Sequence, residues 1–173
     1  MLEHRHLERL DGAHPVHRAR MEEFLRMAMA HGHDLLIVRG AATPTEQLSK
    51  WRLGRRFNLA TRLWEITDVR LVVTRASPGS SPHEVVTLAG QPAAMATDIV
   101  PVDVAGRPQW QTPDEVWKIL YGYAAKVGLD ALGDPWGRYL GWDKGHLEEP
   151  AWSLTLKALG LRMPDVSTLQ VEV

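Results

Sequence analysis

Four residues carry the chemistry that this chain could do: His83, Asp98, Asp143 and His146. Of the eight histidines, all but His83 and His146 fall before residue 34. Neutral imidazole is the commonest protein metal ligand and a ready acid or base near neutral pH. His83 follows a Pro-Gly-Ser-Ser-Pro turn, Asp98 opens "DIVPV", and His146 ends "GWDKGH". Two imidazoles and one carboxylate, brought from separate strands or loops, suffice to hold a catalytic zinc and leave its fourth position open. Zinc lowers the pKa of bound water to roughly 7, so hydrolysis at neutral pH then needs only a proton carrier nearby. Asp143 precedes His146 in the same loop and could be that carrier. Each residue also has a plainer reading. A lone histidine is more often a surface or satisfied core residue. Asp98 could tie down a strand end while Asp103 acts as ligand. Asp143 could cap loop amides. Glu148 is either a partner for an imidazole or a surface carboxylate.

Composition narrows the setting. The 173 residues are 45% apolar and 24% charged, with a formal net charge of −1. That length supports one substantial core, so a single domain is expected over 1–173, with 1–13 as an N-terminal arm and 151–173 as a C-terminal helix and tail. No global basic field points to nucleic acid. Cysteine is absent, so a zinc site must use His, Asp or Glu. No apolar run suggests a signal core or a membrane span, so a chain made in the cytoplasm, acting as a monomer, is expected.

The elements that must position the four residues can be read from spacing. Met21, Phe24, Leu25 and Ala28 lie at helical intervals between Pro15 and Ala30, with Gly32 as a stop. "DLLIVRG" reads as a buried strand closed by glycine. "TPTEQ" starts a helix with Thr43 as cap, Pro44 in the first turn and Glu46 completing a capping box, and Gly54 ends it. "TPDEVWKILYGYAAKVG" repeats the device, with Thr112 capping, Glu115 reaching back, and a buried stripe of Val116, Ile119, Leu120, Tyr123 and Val127. "VRLVVTR" and "ATDIVPVDV" are rich in β-branched residues and read as strands. Residues 133–145 read as a loop leading to a short strand, "HLE", and "AWSLTLKALG" as a terminal helix. Trp51 and Trp117 fall at core spacing, whereas Trp136 and Trp142 could line a groove. "HRH" at 4–6 and "HGH" at 31–33 fit a tail and a helix end better than metal sites. Without regular βαβ alternation, the mixture is α+β.

The order of these parts resembles the zinc D-Ala-D-Ala carboxypeptidase and L-alanyl-D-glutamate peptidase family, including phage endolysins, over about residues 14–150. "VVTRASPGSSPH" is similar to the family's strand and turn leading to Ser-x-His. "AMATDIVPVDVAGRPQW" is similar to its Ala-x-Asp, apolar strand and Gly-x-x-x-Trp turn. "VWKILYGYAAKVGLDALGDPW" and "DKGHLE" resemble its last helix and terminal acid-x-x-His-x-Glu. The resemblance implies a central antiparallel sheet flanked by helices with the zinc site on the sheet. It implies His83, Asp98 and His146 as ligands of one zinc, and Asp143 as general base. It also implies hydrolysis of peptidoglycan stem peptides at the L-alanyl-D-glutamate bond, as by an endolysin that reaches the wall through a holin. A D-Ala-D-Ala carboxypeptidase or dipeptidase, or a wall-binding or virion module without activity, are the rivals.

Two features depart from the family pattern. The stretch between His83 and Asp98 is longer than usual, so "EVVTLAGQPAAM" must hold an extra loop or hairpin. The arginine expected after the glycine of "IVRGAATPTEQ" is replaced by Ala41 and Ala42, which removes a bidentate clamp for a substrate carboxylate. Arg39, Arg55 or Arg75 could substitute. Ser81 could hold its turn or bond near the site.

Overall fold

A computed structural model describes residues 7–131, 143–167 and 169. Among these, helices α1 (Pro15–Ala30), α2 (Pro44–Trp51), α3 (Asp114–Lys126) and the short α4 (Trp152–Thr155) accompany eight strands. The strands are β1 (Leu35–Arg39), β2 (Arg55–Asn58), β3 (Leu63–Ile66), β4 (Val86–Thr87), β5 (Ala96–Pro101), β6 (Asp130–Ala131), β7 (His146–Glu148) and β8 (Leu161–Arg162). The central sheet is antiparallel in the order β1-β5-β7-β6. This is the α+β arrangement expected, with helices on a central sheet.

One face of that sheet carries the core. Met21, Phe24, Leu25 and Ala28 of α1 pack with Leu35, Ile37, Ile99 and Leu147 of the sheet and with Trp117, Leu120, Tyr121 and Ala124 of α3. Phe24 and Ile37 are fully buried, and burial of such a side chain contributes roughly 1.5–3 kcal/mol. Glu8–Leu10 form a 3-10 turn that delivers Leu10 to the same core. Behind β5 and β7, buried His17 joins α1 to the sheet through Thr97 Oγ1 at 2.9 Å and Glu149 Oε1 at 3.2 Å. Arg20 completes that link by donating to Glu149 and to the Gly128 carbonyl.

Side chains alternate across a strand. Thr97, Ile99 and Leu147 therefore face the helices, and Asp98 and His146 face the other way. That alternation makes the second face of the sheet the one that can carry polar chemistry.

Several sequence expectations need correction. "VRLVVTR" is not a strand: Val69–Leu71 is a 3-10 turn and the rest is irregular. Among the described residues no strand pairs with it, and its Val69, Leu71 and Val73 are exposed. Thr112 does not cap α3; Pro113 takes the cap position, and the Thr112 hydroxyl donates to Gln109 O at 2.6 Å. The buried stripe on α3 is Trp117, Leu120, Tyr121 and Ala124, while Ile119 is 44% exposed. Trp51 is half-buried outside the core, edge-on to Trp64 beside the β2–β3 hairpin. The terminal helix is limited to α4, after which the chain turns into β8.

The long stretch after His83 forms a small turn closed by Thr87 N–H to Gln91 O at 2.8 Å. Its strand β4 pairs with β8, and Val85, Ala93, Met95 and Leu161 make a second apolar cluster there. The C-terminal segment thus braces this insertion beside the site.

Close backbone approach fixes one glycine near the site. A Cβ on Gly145 would lie 2.1 Å from the Ile99 carbonyl oxygen. Gly145→Ala is therefore expected to push β7 away from β5 and lower stability by about 1–3 kcal/mol, read by urea unfolding of the metal-free protein.

Candidate metal centre

The outward face of the sheet gathers the site. Asp98 on β5 is directly opposite His146 on β7, and directly opposed residues have their Cβ atoms close enough to interact. His146 Nδ1 lies 2.9 Å from Asp98 Oδ1. His83 arrives from outside the sheet, on a 3-10 turn at Pro82–Glu84. That turn is heavily braced. Ser81 accepts the His83 N–H at 3.4 Å, and the Glu84 carboxylate accepts the N–H groups of Gly79 at 3.0 Å and Ser81 at 3.1 Å. Of its two readings, Ser81 holds the turn. Met95 N–H then binds Pro82 O at 2.9 Å and ties the turn to the sheet.

The outer nitrogens of both imidazoles are already engaged. His83 Nδ1 donates to Gly40 O at 2.8 Å, which leaves Nε2 facing Asp98 Oδ1 at 3.1 Å. His146 Nε2 donates to Glu148 Oε2 at 3.0 Å, which leaves Nδ1 toward Asp98. A ligating histidine ordinarily gives its other ring N–H to a carbonyl or carboxylate, which fixes tautomer and orientation. Here a carbonyl serves one ring and a carboxylate the other. His83, Asp98 and His146 each present one ligand atom, all within 4.8 Å of one another, and the group could hold one metal ion. Two nitrogens and one carboxylate oxygen are the donor set of catalytic zinc sites. Glu148 is thus the imidazole partner rather than a surface carboxylate. Asp103 accepts the N–H groups of Ala105 and Arg107, each at 2.9 Å, so it closes a turn and leaves Asp98 as the carboxylate of the group.

Electrostatics suit this arrangement. Burial alone would push the Asp98 carboxyl up, but the two imidazoles more than offset it and hold Asp98 far below the usual carboxylate range. His146 is also opposed by burial, yet the carboxylates of Asp98 and Glu148 raise it to about 10. Burial, with the charge on His146 contributing, lowers His83. In the metal-free protein His146 is therefore the ring whose protonated form the site favours, and His83 the ring whose neutral form it favours.

Asp143 sits at the edge of this group. Its carbonyl accepts the His146 N–H at 3.2 Å, and burial followed by the Asp98 charge raises its carboxyl to about 6. The neighbouring chain is pinned from α3: Tyr121 donates its hydroxyl to Lys144 O at 2.9 Å, and Lys144 pairs with Asp114 at 2.6 Å. Trp136 and Trp142 lie outside the described residues. Arg75 is exposed on the segment leading to Ser81. Arg55 donates to the carbonyls of Trp51 and Thr74 and lies over the Trp51 ring, which makes it a brace for the hairpin.

The outer partner of His146 gives a direct prediction. Glu148→Ala is expected to weaken zinc binding by about 10–100-fold without abolishing it, as measured by competition with a chromophoric chelator.

Three solved structures share this architecture. The L-Ala D-Glu endopeptidase ChiX of Serratia marcescens is 15% identical, with a TM-score of 0.53 over 87% of this chain and 90% of that one. A vancomycin-resistance D,D-pentapeptidase, VanY from a VanB-type cassette in complex with Zn(II), is 13% identical, with a TM-score of 0.50 over 84% and 76%. The LD-carboxypeptidase LdcB is 16% identical, with a TM-score of 0.51 over 82% and 68%. No protein-family model matches the sequence, and no curated protein matches it either. The chain shares its fold with these L-Ala D-Glu endopeptidase, D,D-pentapeptidase and LD-carboxypeptidase structures. No described helix is long and apolar enough to cross a membrane.

Proposed function

We propose that the chain is a zinc-dependent peptidoglycan endopeptidase that hydrolyses the L-alanyl-D-glutamate bond of stem peptides, in the manner of an endolysin. The observation that carries this reading is the His83–Asp98–His146 group with Asp143 beside it, on a fold shared with the Serratia endopeptidase. In this reading His83 holds zinc through Nε2 and His146 through Nδ1, because their other nitrogens are committed to Gly40 and Glu148. Asp98 supplies the third ligand. Bound there, zinc supplies a Lewis acid that polarises the peptide carbonyl and acidifies water.

The chain's own residues do the rest. A carboxyl raised to about 6 is ionised near neutral pH yet basic enough to accept a proton, which is the balance a general base needs. Asp143 takes the proton of the attacking water on a carboxylate oxygen. It then delivers that proton to the leaving amine nitrogen as the C–N bond breaks. The pinning of Lys144 from α3 keeps this carboxylate close to the ligand group.

The test is loss of turbidity by outer-membrane-stripped bacterial cells. The zinc-loaded protein should clear them, a chelator should stop clearing, and added zinc should restore it. Clearing that is indifferent to the chelator would reject the zinc mechanism, and no clearing by zinc-loaded protein would favour a wall-binding module.

A further inference from the structure

The alanines at 41 and 42 leave the family's usual place for a substrate clamp without a cation, but the space beside them is not neutral. A cavity of about 520 Å³ lies on the far side of Gly40 and Ala42 from the ring of His83, with Glu8, Arg9, Arg39, Ala41, Glu46 and Lys50 also in its lining. Gly40 and Ala42 are bonded directly to His83, through its ring and its carbonyl oxygen, so this wall is continuous with the site.

Arg39 reaches the cavity because of a backbone irregularity. Ile37 pairs with Ile99, and the next pair is Arg39 with Asp98, so two steps on β1 match one on β5. Such a bulge re-aims the side chain that follows it. In regular alternation Arg39 would share the face of Ile37, which is fully buried in the core. With the bulge it joins Asp98 and His146 in one row across β1, β5 and β7. Its guanidinium donates to Gln47 Oε1, and Gln47 is fully buried and fixed in turn by donation to Ala76 O at 2.6 Å. Lys50 lies one turn further along α2 on the cavity wall. Arg39 and Lys50 both act electrostatically on Asp143. Two carboxylates share the lining, Glu8 and Glu46, against the cations of Arg9, Arg39 and Lys50; Glu46 is held in the α2 capping box by Thr43 N–H and Oγ1 at 2.7 and 2.9 Å, and Arg9 donates to Ile37 O at 2.7 Å.

We propose that Arg39 and Lys50 form a carboxylate-binding subsite beside the metal centre, which takes the free α-carboxylate that a γ-linked D-glutamyl residue carries next to the cut bond. This rests on the peptidase reading above and specifies its substrate. In such a residue the carboxylate is attached to the same carbon as the leaving nitrogen. A cationic pair that flanks the site can therefore grip the leaving side of the substrate during hydrolysis. The same subsite discriminates against stem peptides in which that carboxylate is amidated, because an amide forfeits the charge-assisted bonds to a guanidinium and an ammonium.

The experiment compares N-acetyl-L-alanyl-γ-D-glutamyl-L-lysine with its α-carboxamide counterpart on the zinc-loaded protein. The acid should be preferred by roughly tenfold or more in kcat/KM, mainly through KM. Lys50→Met and Arg39→Lys should each shrink that acid-over-amide ratio, and Lys50→Met, at the helix end, avoids the buried Gln47 contact. Equal use of acid and amide by the wild type would overturn the proposal. So would a ratio that survives in both variants but falls in Arg75→Met, which would move the subsite to Arg75. Failure to cut either peptide is a failure of the peptidase reading, and calorimetric titration of the zinc-loaded protein with the two peptides then decides the subsite separately. Tighter binding of the acid, lost in Lys50→Met, supports it; equal or absent binding overturns it.

Discussion

Asp143→Ala is expected to fold and to keep its zinc while losing about 100- to 10,000-fold in turnover, the usual effect of removing a positioned acid or base. The side chain accepts no ligand role in the His83–Asp98–His146 group, so its removal leaves the metal donors intact. What it removes is a carboxylate raised to about 6 by burial and by Asp98. The pH dependence follows with a definite sign. Asp143 must be ionised to accept a proton, so kcat/KM rises with pH through its pKa and falls away below it. A zinc ion nearby favours the ionised form, so about 6 is the upper limit for that acid limb in the wild type. Near-normal turnover in Asp143→Ala would move the base elsewhere, with Glu148 the next carboxylate to test.

The second large effect concerns the metal itself. Wild-type protein is expected to hold about one zinc per chain, and His146→Ala to lose it, as read by metal analysis after dialysis. His146 is the ring whose Nδ1 faces Asp98 and whose Nε2 is anchored by Glu148, so no other described side chain replaces its nitrogen in the group. Zinc uptake also has to displace the proton that Asp98 and Glu148 hold on this ring up to about pH 10. Affinity in the wild type therefore climbs with pH and zinc binding releases protons. Full zinc content in His146→Ala would place the metal elsewhere.

The parts of this site that were legible in the sequence are those with distinctive chemistry. Two late histidines, one aspartate before an apolar strand and a second in the terminal loop are rare enough to stand out, and the structure brings them together. The helix α1 was equally plain, because Met21, Phe24, Leu25 and Ala28 repeat at the interval that one buried face demands. The stripe on α3 was harder: Val116, Tyr123 and Val127 pack only partly against the core, and Tyr121 turns inward to reach Lys144 O. "VRLVVTR" has strand composition but, among the described residues, pairs with no strand, and β preference is a matter of packing against neighbours rather than of backbone alone. Lys50 was hidden for a related reason, and Arg39, though one of three arginines the sequence offers as a substitute clamp, could not be told from Arg55 and Arg75. A charged residue at a strand end or a helix end looks like solvated surface, and only the register shift between Ile37 and Arg39 shows that the guanidinium belongs to the row of Asp98 and His146. Gln47 gave no sign of its burial, because its role depends on Ala76, which is distant in sequence.

The bond that is cut tests the whole account. Purified peptidoglycan digested by the zinc-loaded protein would be labelled at new amino termini and its fragments identified by mass spectrometry. Glutamate, linked through its side-chain carboxyl, is expected as the new amino-terminal residue, with none formed in the presence of a chelator. Release of terminal D-alanine alone would assign the activity to a carboxypeptidase, and new reducing sugars without new amines would contradict peptide hydrolysis altogether.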